Sequence, residues 1–182
     1  MIKSKLLVSA LLLLGLTASA FGAGHKPGEL TTFQETFLAY YTGETNKLVD
    51  LAEAFSEDGM DWRPAEGIRS VREAILHVAG GNYGIGSRIS GAKLPEGINP
   101  RQFAKTITTK ADTVQTLKDS IAFFKKAVKG MDEASLNEKI NLFGGEVPRM
   151  QGVILLGGHN FEHLGQLIAY ARSSGVVPPW SQ

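Results

Sequence analysis

"HNFEHLGQLIAYAR", His159 to Arg172, places two histidines four residues apart in a run that is otherwise apolar and helix-forming. At about 100° per residue, Val153, Leu156, Asn160, His163, Leu167 and Tyr170 form one stripe of a helix. His163 falls inside that stripe and His159 at its edge, about 40° away and one turn earlier. Imidazoles at i and i+4 converge on one point, the spacing by which a helix offers two nitrogens to one metal ion. Traced outward, the block predicts a helix with Pro148 as its first residue, where a missing N–H costs nothing. It runs to about Ser173 and is ended by Gly175 and Pro178-Pro179.

Three further blocks share this period. From about Thr32 to Phe55, one face carries Phe33, Phe37, Tyr40, Tyr41, Leu48, Leu51 and Phe55. The segment with Gly59, Pro64 and Gly67 breaks it. A second helix opens at Ser70, which forms a capping-box pattern with Glu73, and continues to about Ile89. Its inward stripe is Val71, Ala74, Ile75, Val78, Asn82 and Ile89, with His77 at the edge beside Ala74, Gly81 and Gly84. "GAKLPEGINP" is loop. A third helix opens near Thr109 and carries Val114, Leu117, Ile121, Phe124 and Val128, with Lys125, Lys126 and Lys129 suited to its dipole and Gly130 as its stop. "EKINLFGG" alternates at Ile140 and Leu142, which fits a short extended piece. Four amphipathic helices without a convincing sheet predict an all-α chain, a helical bundle.

The first 23 residues are expected to lie outside that fold. Lys3 and Lys5 precede an apolar run from Leu6 to Leu16, then Ala18-Ser19-Ala20 and Phe21-Gly22-Ala23 offer cleavage sites. This pattern predicts a secretory signal peptide and an exported, periplasmic or extracellular protein. The run is shorter than the roughly 20 residues a helix needs to span a bilayer. The remaining residues, 24–182, are expected to form a single domain. Of the 19 basic residues, Lys3 and Lys5 would leave with the signal, so 17 face 18 acidic ones. That balance gives no case for nucleic acid as partner. The chain has no cysteine, which excludes disulfides, thiolate zinc sites and a thiol nucleophile.

The candidate site residues are His77, His159 and His163. The alternative is that they are satisfied core histidines or half-exposed polar edges. All three falling on or beside inward stripes puts a metal ahead. Neutral imidazole suits zinc or nickel first, with iron or copper as alternatives. Three protein ligands leave one position open, as in catalytic zinc sites. Glycines cost about 1 kcal/mol each inside a helix. Gly81 and Gly84 therefore either let another helix pack closely or leave room for a ligand beside His77; room for a ligand is the expectation taken forward, with a similar thinning at Gly157-Gly158. "HNFEH" also matches the inverted zinc-peptidase signature with Glu162 as base. No acidic residue follows to supply the further ligand that signature needs. Gln166 is either placed to orient a bound water or substrate or is a surface amide. Tyr40, Tyr41, Tyr83 and Tyr170 are expected to be aromatic core.

In "DWRPAEGIRSVREAILHV" and "HNFEHLGQLIAYARSSGVVPP", the chain resembles the DinB-like family, the DinB/YfiT superfamily of metalloenzymes, over roughly Leu30 to Pro179. The resemblance implies a four-helix bundle with one long crossover connection. It also implies a metal held by His77, His159 and His163, with water completing the shell. Characterised relatives are thiol-dependent S-transferases and a maleylpyruvate isomerase, and the family often forms homodimers. An export signal departs from that pattern, because those thiols are cytoplasmic. Two functions are carried forward. One is a divalent-metal-dependent transferase or hydrolase acting on a small molecule. The other is a non-catalytic exported bundle that binds a metal or small ligand.

Overall fold

Thr31 opens the first helix with a capping box: its hydroxyl accepts from the Gln34 N–H while the Gln34 side chain accepts from the Thr31 N–H. In the computed structural model, which describes residues 29–181, this helix is α1 (Thr32–Ala54). A 3-10 turn at Asp58–Asp61 follows, and the expected Ser70/Glu73 capping box starts α2 (Val71–Ser90). Gly91, at φ 73°, closes α2 in the left-handed conformation that a side chain would disfavour.

The loop after α2 holds more structure than its prolines and glycines suggested. A 3-10 turn at Pro100–Gln102 runs into the short α3 (Phe103–Thr106), whose Phe103 packs with Leu76, Ala79 and Tyr83 as a satellite core. Thr109 then caps α4 (Lys110–Lys129) through the Asp112 N–H. A short α5 (Glu133–Asn137) follows.

The extended piece is one arm of a hairpin. β1 (Lys139–Leu142) pairs antiparallel with β2 (Gly145–Pro148), in the register Ile140↔Val147 and Leu142↔Gly145. Phe143 and Gly144 form its two-residue turn, both at positive φ (53° and 86°), the combination that matches strand twist. Pro148 ends β2 and sits at the cap of α6 (Arg149–Ser173), one residue before the helical position expected for it.

The helices α1, α4, α2 and α6 form a cycle in which each packs against the next and α6 returns to α1. The faces read from periodicity meet in this core. Leu48 and Leu51 of α1 and Phe55 at its C-terminal cap, Ile75 and Val78 of α2, Leu117 and Phe124 of α4, and Leu156 and Leu167 of α6 are all essentially inaccessible. Tyr40 departs from expectation. It is 64% exposed and lies edge-on to Phe161. Gly157 is thin because the Phe37 ring rests on it: a Cβ there would lie 2.7 Å from Phe37 Cε2.

One polar cluster lies at the centre of this apolar core, with one side chain from each of the four long helices. Tyr41 Oη lies 3.3 Å from both Asn82 Oδ1 and Asn160 Oδ1. Asn160 Nδ2 donates to Asn82 Oδ1 at 2.8 Å, and Asn82 Nδ2 donates to Ser120 Oγ at 3.2 Å. Buried amides without partners cost about 1–3 kcal/mol each, so this geometry favours one register of the helices over its neighbours. Burial pushes the Tyr41 phenol far above its ordinary pKa, against a smaller lowering by Asn82, so it stays protonated.

No described helix is long and apolar enough to cross a membrane. The expected signal peptide, residues 1–23, lies outside the described residues.

Candidate metal centre

Asn82 and Asn160 lie next to the histidines in sequence, so the register they favour also positions the imidazoles. His77 is five residues before Asn82 on α2, and His159 immediately precedes Asn160 on α6. The structure brings His77, His159 and His163 together, with one ring nitrogen of each lying within 4.8 Å of the others. The ring centroids are 4.6–5.0 Å apart. All three rings are half-buried. His163 therefore lies on the flank of the buried face. Leu164 and Gly157 take the interior positions instead.

The donors suit a divalent cation. Metal–nitrogen bonds of about 2.0–2.1 Å at tetrahedral angles place nitrogens about 3.3 Å apart. His77 Nε2 and His159 Nε2 are 3.2 Å apart, a distance that without a cation equally admits one N–H···N hydrogen bond. His163 Nδ1 lies 2.7 Å from Gln166 Oε1, and Gln166 Nε2 donates to Tyr170 Oη at 2.8 Å. Because the Gln166 oxygen is the acceptor, the His163 proton sits on Nδ1 and Nε2 keeps the lone pair. Behind this relay, Trp62 packs edge-on to Tyr170 with centroids 5.3 Å apart. Gln166 thus orients a histidine, a role outside the water, substrate or surface-amide readings its sequence position left open. The i, i+3 and i, i+4 spacings of His163, Gln166 and Tyr170 carried that signal.

Electrostatics favour neutral rings at His77 and His159. Burial lowers the His77 pKa, helped by the Arg69 guanidinium and then by His163. His159 is pushed down to about 4 by burial first, then by His163, His77 and Arg69. Its Nδ1 is buried without a hydrogen-bond partner among the described residues. Neutral imidazoles are the form a metal requires.

The glycines of α2 divide. A Cβ on Gly81 would lie 3.0 Å from His159 Cε1 and 3.3 Å from Nδ1, so the space there belongs to the His159 ring and not to a ligand. Gly84 has no atom within 4 Å of such a Cβ. Glu162 lies on the exposed side of α6, away from the role the inverted peptidase signature would give it. Tyr83 lies in the satellite core as expected.

A family model, that of the DinB family, matches residues 29–182. The chain belongs to the DinB family. Two solved structures show the same fold. One is a DinB-like protein from Bacillus subtilis, 24% identical, with a TM-score of 0.65 over 81% of this chain and 97% of that one. The other is a DinB-like protein from Bacillus cereus, 18% identical, with a TM-score of 0.69 over 80% of this chain and 95% of that one. No curated protein matches the chain. As a DinB-family bundle, the protein carries a three-histidine group that could hold a metal ion.

Proposed function

We propose that this DinB-family protein is an exported, divalent-metal-dependent enzyme, a transferase or hydrolase of small molecules. Its ligands are His77, His159 and His163, and its metal is zinc or nickel. One observation carries the reading. His77 belongs to the converging trio and also lines an open cleft of about 430 Å³. A closed, dry site would have suited a binding module. A substrate-sized opening beside one ligand of a three-histidine group suits chemistry.

A divalent cation held there supplies Lewis acidity toward a substrate oxygen or thiol. The chain's own groups prepare the place for it. Gln166 holds the His163 proton on Nδ1, and Tyr170 holds Gln166. Burial first, then the neighbouring histidines and Arg69, favour the unprotonated forms of His77 and His159. Gly81 gives the His159 ring its seat, and the cleft admits substrate to the His77 side.

The deciding measurement is elemental analysis of protein purified without a histidine tag, followed by zinc and nickel titration of the stripped protein. About one equivalent per chain is expected for a single three-ligand site. It should be lost when any two of the three histidines are replaced by alanine. Protein that takes up neither metal overturns the reading. N-terminal sequencing from the native host tests export separately, with a start at residue 21 or 24 expected and Met1 contradicting it.

A further inference from the structure

The cleft at His77 is strongly cationic, although the chain as a whole is nearly neutral. Arg63, Arg69 and Arg101 line it against a single carboxylate, Glu73. Arg63 is already engaged, donating to the Ile68 carbonyl at 2.8 Å and pairing with Glu73 at 3.3 Å. Among the described residues, the side chains of Arg69 and Arg101 have no hydrogen bond and no ion pair. Leu76 and Phe103 also line the cleft and give it an apolar part.

Two free guanidiniums beside the place proposed for a divalent cation pose an electrostatic problem. Both line the cleft that His77 also lines, and neither is paired to a carboxylate among the described residues. An anion in the cleft would neutralise that charge. Guanidinium forks recognise carboxylate and phosphate by paired, charge-assisted hydrogen bonds. We propose that the cleft binds a small anionic substrate, a carboxylate or phosphate monoester with an apolar body. Its anionic group is held by Arg69 and Arg101, its apolar part lies on Leu76 and Phe103, and its reacting end faces His77. The word substrate rests on the metal-enzyme reading above, whereas the anion site does not.

The test is calorimetric titration of the purified protein at low salt, metal-free and zinc-loaded, with hexanoate, hexyl phosphate and hexanol. Saturable binding of at least one anion is expected, at least about tenfold tighter than hexanol and weakened by added salt. Comparing the two anions separates carboxylate from phosphate recognition. R69Q and R101Q, both exposed positions, should each weaken it by about fivefold or more, since each removes a charge-assisted contact. K125Q, on another face, should leave it unchanged. If neither anion binds saturably to folded protein, or if both arginine variants bind like the parent, the proposal is overturned. Zinc uptake without anion binding sinks the anion cleft alone. Anion binding at these arginines without zinc uptake upholds the cleft and sinks the metal centre.

Discussion

Replacing Gly81 by alanine sets two effects of known sign against each other. A glycine-to-alanine change inside a helix gains about 1 kcal/mol from backbone propensity. Against it, the new Cβ would stand 3.0 Å from His159 Cε1 and 3.3 Å from Nδ1. Carbon contacts are comfortable at about 3.5–4.0 Å, so the ring must retreat by about half an ångström. It has little freedom to do so, because its Nε2 is also held 3.2 Å from His77 Nε2. Overpacking of this kind costs about 1–3 kcal/mol. The net expectation for Gly81→Ala is a destabilisation of about 0–2 kcal/mol. Metal sites tolerate about 0.2 Å in ligand distance, so the displaced ring should also weaken zinc binding by about 10–100-fold. Gly84→Ala is the internal control. It meets nothing within 4 Å and should stabilise by about 0.4–1 kcal/mol with zinc affinity unchanged. Urea unfolding of the metal-free proteins and calorimetric zinc titration read both quantities. If Gly81→Ala gains stability as Gly84→Ala does and binds zinc like the parent, the Gly81–His159 contact does not constrain the site.

Three further expectations follow from the same geometry. Gln166→Leu should lower zinc affinity by about 10–100-fold through loss of the His163 orientation, and a parent-like titration would remove Gln166 from the site's support. Asn160→Ala should cost about 1–3 kcal/mol in urea unfolding, because it leaves Asn82 and Tyr41 short of a buried partner. A loss below about 0.5 kcal/mol, the level of an ordinary surface change, would show that the network carries little stability. The metal-free protein in chelator should lose stability on mild acidification. His159 has a folded pKa of about 4 against an ordinary value of 6.5, so the unfolded chain binds its proton first. That contribution is complete above pH 6.5 and falls as pH drops toward 4, with His77 acting in the same direction. Thermal melts that stay flat from pH 7 to 4.5 in the parent, and match those of His159→Ala, would contradict this.

The four long helices were legible because each buries one stripe against the others, and a 3.6-residue period repeated over 20 residues or more survives without knowledge of the neighbours. The cap at Ser70 and the start near Thr109 were legible for a similar reason, since a side chain there satisfies backbone groups three residues away. The histidine pair on α6 was legible from spacing on one helix. Joining His77 to it required the packing of α2 on α6, which the helical period cannot specify. The α6 wheel was turned slightly: His163 counted as interior, although the buried arc runs through Gly157 and Leu164. A glycine contributes nothing to a hydrophobic stripe, so the seat of Phe37 on Gly157 was invisible until α1 was in place.

Local chemistry along the chain therefore determined the helices, their starts and stops, and a pair of histidines able to act together. The tertiary structure decided matters that depend on residues far apart in sequence. It placed Asn82 against Asn160, 78 residues on, and so positioned His77 beside His159. It gave the Gly81 space to an imidazole and left Gly84 open. It gathered Arg69 and Arg101 around one cleft. Each of these outcomes is a distance between side chains on different elements, set by how four apolar faces and one buried polar network pack at once.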